Sequence, residues 1–123
     1  MLPKPDTCRP CILYQDGKGW VPDEIRDDAL VQIHAQGPGS VEEREGKPKV
    51  GPTGQLEEQQ FFPIAGLTRD TVSLSNALRC RWVNEQGKRT DQLPPPKVLA
   101  QAVDYCQRTY FRVGASTKLI IAQ

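Results

Sequence analysis

The sequence predicts an α/β fold organised around a short parallel sheet. Three observations carry the prediction: three short apolar runs that read as strands, two stretches of helical periodicity between them, and glycine- or proline-rich segments at the junctions. Strand, helix, strand, helix, strand is the order in which crossover helices join parallel strands.

The elements follow in chain order. The N-terminal segment around Cys8 is proline-rich and suggests neither strand nor helix. A first strand is expected over Ala29–Ala35, followed by the turn Gln36-Gly37-Pro38-Gly39 and a charged stretch punctuated by Gly46, Gly51 and Gly54. A helix is expected from Gln55 to Phe62, stopped by Pro63. The second strand is expected over Thr71–Leu78, and the segment from Trp82 to Pro96 reads as a long polar insertion. Pro94-Pro95-Pro96 then enters a helix over Lys97–Arg108, where Val98, Leu99, Ala102, Val103, Tyr105 and Cys106 recur at helical spacing. The third strand is expected over Lys118–Ala122.

Composition sets bounds. With 123 residues and 37% hydrophobic content, the chain fits a single domain, 1–123, with a modest core. Sixteen basic and 15 acidic residues leave no global positive field, so any nucleic-acid contact must be local. No run of about 18 apolar residues exists, as a membrane span would need.

The four cysteines are the most informative residues: Cys8 and Cys11 flank Arg9-Pro10, and Cys80 and Cys106 lie far downstream. They read as one metal site. Two ligands two residues apart can grip the same ion or cluster face, and the distant pair closes the shell only if the fold brings these segments together. A secreted disulfide framework is disfavoured because Met1-Leu2-Pro3-Lys4-Pro5 lacks the apolar core of a leader. A redox dithiol would want a strand before it and a helix after it, which this segment does not suggest. Zinc, an iron–sulphur cluster and unmetallated thiols all stay open on spacing alone, although zinc usually takes two close pairs. Reduced thiols suit a cytoplasmic compartment.

In a parallel α/β sheet, ligands bind where loops leave the carboxyl ends of the strands. Those loops begin here at Gln36 and Asn76. The Gly37-Pro38-Gly39 turn lets backbone approach a ligand, or is a plain structural turn. Asn76 offers a donor and an acceptor, as reading a base edge requires, or caps a turn.

Together these blocks resemble the iron–sulphur uracil-DNA glycosylases, families four and five of that superfamily. The resemblance rests on Cys8-Arg9-Pro10-Cys11-Ile12-Leu13, Gly19-Trp20-Val21-Pro22, and Ala35-Gln36-Gly37-Pro38-Gly39 with Glu42 and Glu43. It continues through Gly46 to Leu56, Ala65-Gly66-Leu67-Thr68-Arg69 and Ser75-Asn76-Ala77-Leu78-Arg79-Cys80-Arg81, and ends at Cys106. It implies a three-layer α/β/α domain and a [4Fe-4S] cluster ligated by Cys8, Cys11, Cys80 and Cys106, with zinc the alternative. It also implies hydrolysis of the N-glycosidic bond of a flipped uracil in DNA, uracil-containing or single-stranded. Gln36 and Asn76 would carry the catalytic positions, and Gly37, Pro38, Gly39, Lys49 and Asn76 the substrate contacts. Arg79, Arg81, Lys88 and Arg89 flank Cys80 and the insertion and would meet the DNA backbone, with Trp82 stacking on a base or packing beside the cysteine loop.

Three departures from the family pattern stand out. Gln36 replaces an acidic residue; it can orient water but cannot accept a proton. Lys49 replaces the stacking phenylalanine, a change that suits phosphate better than a base. The C-terminal histidine motif is not reached before Gln123, and His34, the single histidine, belongs to the first strand. The family's last strand and helix are therefore expected to be missing, which would leave a sheet edge for a protein partner or self-association. These features suit a divergent branch found in phages and bacteria, located in the cytoplasm of a bacterial or phage-infected cell. Two functions follow: a DNA N-glycosylase, or a non-catalytic iron–sulphur binding module of a replication or repair assembly.

Overall fold

A computed structural model describes residues 1–123. Strand β1 (Leu2–Pro3) pairs antiparallel with β2 (Lys18–Trp20), and a 3-10 turn, Asp6–Cys8, lies between them. The central sheet then forms from β3 (Val31–Ala35), β4 (Val72–Asn76) and β7 (Leu119–Ala122) in the order β4-β3-β7, all parallel. Between β3 and β4 lie α1 (Ser40–Glu45), α2 (Pro52–Leu56) and a π turn over Glu57–Phe61. After β4 come a small hairpin, β5 (Trp82–Val83) with β6 (Arg89–Thr90), and the long helix α3 (Pro96–Tyr110).

The three strands stand where periodicity placed them, with ends trimmed by one or two residues; α3 runs one residue earlier and two later than expected, and the expected Gln55–Phe62 helix is instead the end of α2 followed by the π turn. Three elements were not expected. Helix α1 lies in what reads as a charged loop, because its six residues are too few to show an apolar stripe. The Trp82–Pro96 insertion is not irregular, since Asn84 and Gly87 close a tight turn between β5 and β6. The N-terminal segment pairs as β1 with β2, too short to leave a pattern.

Alternation along the strands sorts the two sheet faces. Ile33, Val72 and Leu74 point to one face and pack with Phe62 of the helical crossover, with Val31 and Leu67 at the margin. Gln32, His34, Ser73 and Ser75 occupy the other, which is buried yet polar: Gln32 Nε2 donates to Ser75 Oγ at 3.0 Å and to the Arg112 carbonyl at 3.2 Å. His34 Nδ1 lies 2.7 Å from Ser75 Oγ, and its ring meets Phe111 edge-on at 5.2 Å; it is a sheet-face residue. A second apolar cluster, Leu13, Leu78, Ala102 and Cys106, joins the N-terminal segment, the exit of β4 and α3.

The two sheet edges differ. The outer edge of β4 is closed by Glu24, which exchanges both backbone hydrogen bonds with Leu74 at 2.8 Å. Strand β7 pairs only with β3, and its Leu119, Ile120 and Ile121 are exposed.

Close backbone approach fixes Gly54. A Cβ at Gly54 would stand 2.1 Å from the Lys49 carbonyl oxygen, so this first turn of α2 has no room for a side chain. Gly54→Ala is expected to cost about 1–3 kcal/mol through overpacking, read as a lowered urea midpoint; an unchanged midpoint would show that the loop yields freely.

Candidate functional site

All four cysteines line a single apolar cavity of about 20 Å³. Cys8 comes from the 3-10 turn, Cys11 from the turn that follows, Cys80 from the exit of β4, and Cys106 from the penultimate turn of α3. Leu13, Leu78 and Ala102 complete the wall. Each segment is drawn in by the apolar cluster they share, which is how residues 98 positions apart come to face one void.

The donor set fits a metal centre. Three of the four sulfurs have hydrogen-bond partners: Tyr110 Oη lies 3.0 Å from Cys8 Sγ, the Leu13 N–H points at Cys11 Sγ at 3.4 Å, and Arg79 Nη1 donates to Cys106 Sγ at 3.1 Å. Lys4 is buried beside them and donates to the Leu13 and Tyr14 carbonyls. Two buried cations beside four thiols supply charge that would offset bound thiolates, and hydrogen bonds to sulfur tune such ligands. No three His, Cys, Asp or Glu side chains converge closely enough to share one ion.

Burial pushes the Cys80 thiol up to about 12, and raises those of Cys8 and Cys106 as well. Metal must therefore displace protons to bind. The sign for stability is definite: a thiol held protonated in the fold binds its proton longer than in the unfolded chain, so stability falls as pH rises. Metal-free protein is expected to lose stability from about pH 9 toward pH 12, whereas loaded protein is not; thermal melts across that window check it, and parallel curves would contradict it.

The second feature is a cleft of about 560 Å³ at the carboxyl ends of β3 and β4. Gln36, Gly37, Gly39, Lys49, Gly51 and Asn76 line it, and its size suits a small planar ligand. Asn76 is 2% exposed, and its side-chain amide makes no hydrogen bond within the protein. An amide with both ends free at the wall of a cleft is available to pair with a ligand there. Gln36 is exposed at the mouth, its side chain unbonded. Pro38 lies apart, lining a neighbouring cavity of about 100 Å³ with Leu78, Arg81 and Trp82. Trp82 also packs against the cluster containing Cys106.

Glu42 shapes the cleft. Its Oε1 accepts from the Gly39 N–H at 2.9 Å, and its Oε2 accepts from Val50 at 3.1 Å and from Gly51. One carboxylate thus clamps the loop after β3 to the loop before α2. Glu42→Ala leaves these amides without partners and is expected to cost about 1–3 kcal/mol, with faster hydrogen exchange at Val50 and Gly51; unchanged exchange would exclude the clamp.

Lys49 lies in the cleft with its backbone at φ +55°, a conformation rare for a side-chain-bearing residue. Its ammonium is committed to both Glu57 oxygens at 3.0 Å and to Gln123, so the positive charge that might meet a phosphate is neutralised. Arg69 holds the same loop by donating to the Pro48 and Lys49 carbonyls.

The basic group expected on the DNA side needs correction. Arg79 is 1% exposed, bound to Asp23 and Cys106, and cannot reach a phosphate. Arg81 and Arg89 both bind the buried Glu43, at 3.1 and 3.0 Å, and extend to Asp91 and Asp16. Lys88, at the hairpin turn, is exposed and makes no ion pair. Sequence reasoning missed Asp23 and Asp91, and the ion-pair role of Glu43. Acidic residues near helix starts and turns look like solvated charge, and their partners lie dozens of positions away.

A parallel α/β domain with a ligand cleft at its strand ends and four thiols behind it defines the class of protein. No family model matches the chain. It is similar to the type-4 uracil-DNA glycosylase of Sulfurisphaera tokodaii, at 34% identity over 87 residues, covering 71% of this chain and 40% of the relative. The type-4 uracil-DNA glycosylase of Saccharolobus solfataricus is 34% identical over 86 residues, 70% of this chain and 40% of the relative. That of Archaeoglobus fulgidus is 30% identical over 102 residues, 83% and 48% respectively. The chain belongs to the uracil-DNA glycosylase superfamily. It spans less than half the length of these curated relatives.

Proposed function

We propose that the chain carries the base-recognition cleft and the cluster-bearing scaffold of a uracil-DNA glycosylase acting on uracil-containing, single-stranded DNA. The side-chain amide of Asn76, free of partners within the protein and lining the cleft, carries this reading. Uracil presents an acceptor oxygen beside an N–H donor along one edge, and an asparagine amide complements both. The exposed backbone at Gly37 and Gly39 lets a flipped nucleotide approach closely.

Two carboxylates line the cleft, and Glu42 is spent on three backbone amides. That leaves Asp91, whose Oδ1 is held by Arg81 Nε at 3.1 Å, to take the proton from a water oriented by Gln36. Hydrolysis then transfers that water's oxygen to the sugar and releases the base. Lys88 and the hairpin turn supply a local phosphate contact.

Cys8, Cys11, Cys80 and Cys106 would hold the metal group. The resemblance to iron–sulphur uracil-DNA glycosylases favours a [4Fe-4S] cluster over zinc, and the four thiols lining one cavity suit either group. Bound there, the group supplies a four-point crosslink between the N-terminal segment, the exit of β4 and α3. The open edge of β7 is proposed to pair with a further strand, from a partner or a second copy. No helix is long and apolar enough to cross a membrane, and a cytoplasmic setting in a bacterial or phage-infected cell is proposed.

A second reading is favoured by Gln36, which cannot act as a base, and by the neutralised Lys49. In it the same cleft binds a base without cleaving, as a module of a repair or replication assembly. Incubation of anaerobically purified protein with single-stranded oligonucleotides containing uracil or, in its place, cytosine separates the readings. Abasic product from uracil alone supports the enzyme. Selective binding without product supports the module, and no preference for uracil contradicts both.

A further inference from the structure

The two sites are physically joined. Arg79 Nη1 donates to Cys106 Sγ at 3.1 Å, and Arg79 Nη2 donates to Asp23 Oδ2 at 2.6 Å. The other oxygen of the same carboxylate, Asp23 Oδ1, accepts the Asn76 backbone N–H at 3.2 Å. The chain is largely sheltered: the Arg79 side chain is 1% exposed, that of Asp23 is 8%, and Asn76 is 2%. The guanidinium also lies over the Tyr110 ring at 5.6 Å, and the Tyr110 hydroxyl contacts Cys8 Sγ at 3.0 Å. One cation thus touches one cysteine directly and a second through an aromatic ring.

We propose that Arg79 and Asp23 are positioning residues that couple the cysteine centre to Asn76, so that ligand in the cleft and metal on the thiols stabilise one another. The inference rests on the reading of Asn76 as the base-recognising residue. A buried charge pair cannot shift one partner without the other, because separating them strands a charge away from water. Formation of a metal-bound thiolate at Cys106 holds the Arg79 donor in place. Arg79 then fixes Asp23, and Asp23 fixes the strand end from which the Asn76 amide projects. The link from Arg79 to Cys106 is buried against the apolar cluster, where water does not readily substitute for it.

Binding coupling is reciprocal, so the effect is readable from the metal side. Loaded wild-type protein is exposed to a chelator while loss of metal is followed by absorbance. The runs use no DNA, a saturating single-stranded oligonucleotide with one uracil, and the same oligonucleotide with cytosine in its place. The uracil strand is expected to slow metal loss roughly tenfold, within the usual range of coupling between sites, and the cytosine strand to leave it unchanged. Asp23→Asn keeps an acceptor for the Asn76 N–H but weakens the Arg79 pair; Arg79→Lys keeps the cation but cannot bridge both partners. Both are expected to abolish the protection. Equal protection in the variants would overturn the coupling, as would uracil-DNA binding by wild type with no protection at all, a result that needs no variant to fold. Failure of wild type to bind the uracil strand in a gel-shift control would instead remove the reading of the cleft, and the coupling with it.

Discussion

Arg79→Ala is expected to be the most destabilising single substitution in this chain, at about 3–5 kcal/mol. The side chain is the largest that is fully buried, and it holds the Asp23 carboxylate, the Cys106 sulfur and the Cys106 carbonyl at once. Burial alone pushes the Asp23 carboxyl up, with Arg79 opposing it, so truncation leaves a carboxyl that must either lose its charge or draw in water. It also opens a cavity against Tyr110 and Ala102. Urea denaturation of loaded protein measures the loss. A cost under about 1 kcal/mol, the ordinary value for an exposed ion pair, would show that the pair is dispensable.

Asn76→Ala is expected to have the largest effect on function, with little on folding. The amide makes no hydrogen bond inside the protein, so its removal breaks nothing in the free chain. In the liganded cleft it strips away the complement to the base edge. Loss of one well-placed polar contact costs about 10²–10³ in rate, and discrimination between uracil and cytosine, whose edge donors and acceptors are reversed, should collapse with it. Excision or binding measured on both oligonucleotides gives the answer. Preserved discrimination would move base recognition elsewhere in the cleft.

The legible and illegible parts of this molecule divide by the range of the interactions involved. Strands β3, β4 and β7 and helix α3 were readable because their periodicity is written within a few residues, and the parallel order followed from their alternation. The cysteines could be grouped because thiols in such a pattern have few other uses, and the fold places all four on one cavity. Charged residues were the opposite case. Arg79 looks like its neighbours Arg81 and Lys88 in the sequence, yet only tertiary packing makes the first an internal strut, the second a partner of Glu43 and the third a surface cation. Lys49 likewise reads as a phosphate contact until the π turn brings Glu57 to its ammonium. The polar sheet face of Gln32, Ser73 and Ser75 looks solvent-exposed in the sequence and is buried by the segments around Arg26 and Arg112.

Cysteines from the N-terminal segment, the exit of β4 and α3 are proposed to hold one iron–sulphur centre behind the cleft. Metal and acid-labile sulfide analysis of anaerobically purified protein, with its visible spectrum, tests this directly. About four iron and four sulfide per chain, lost together in Cys106→Ser, is the predicted result for four thiolate ligands. One zinc per chain, or a metal content that Cys106→Ser leaves unchanged, would contradict it.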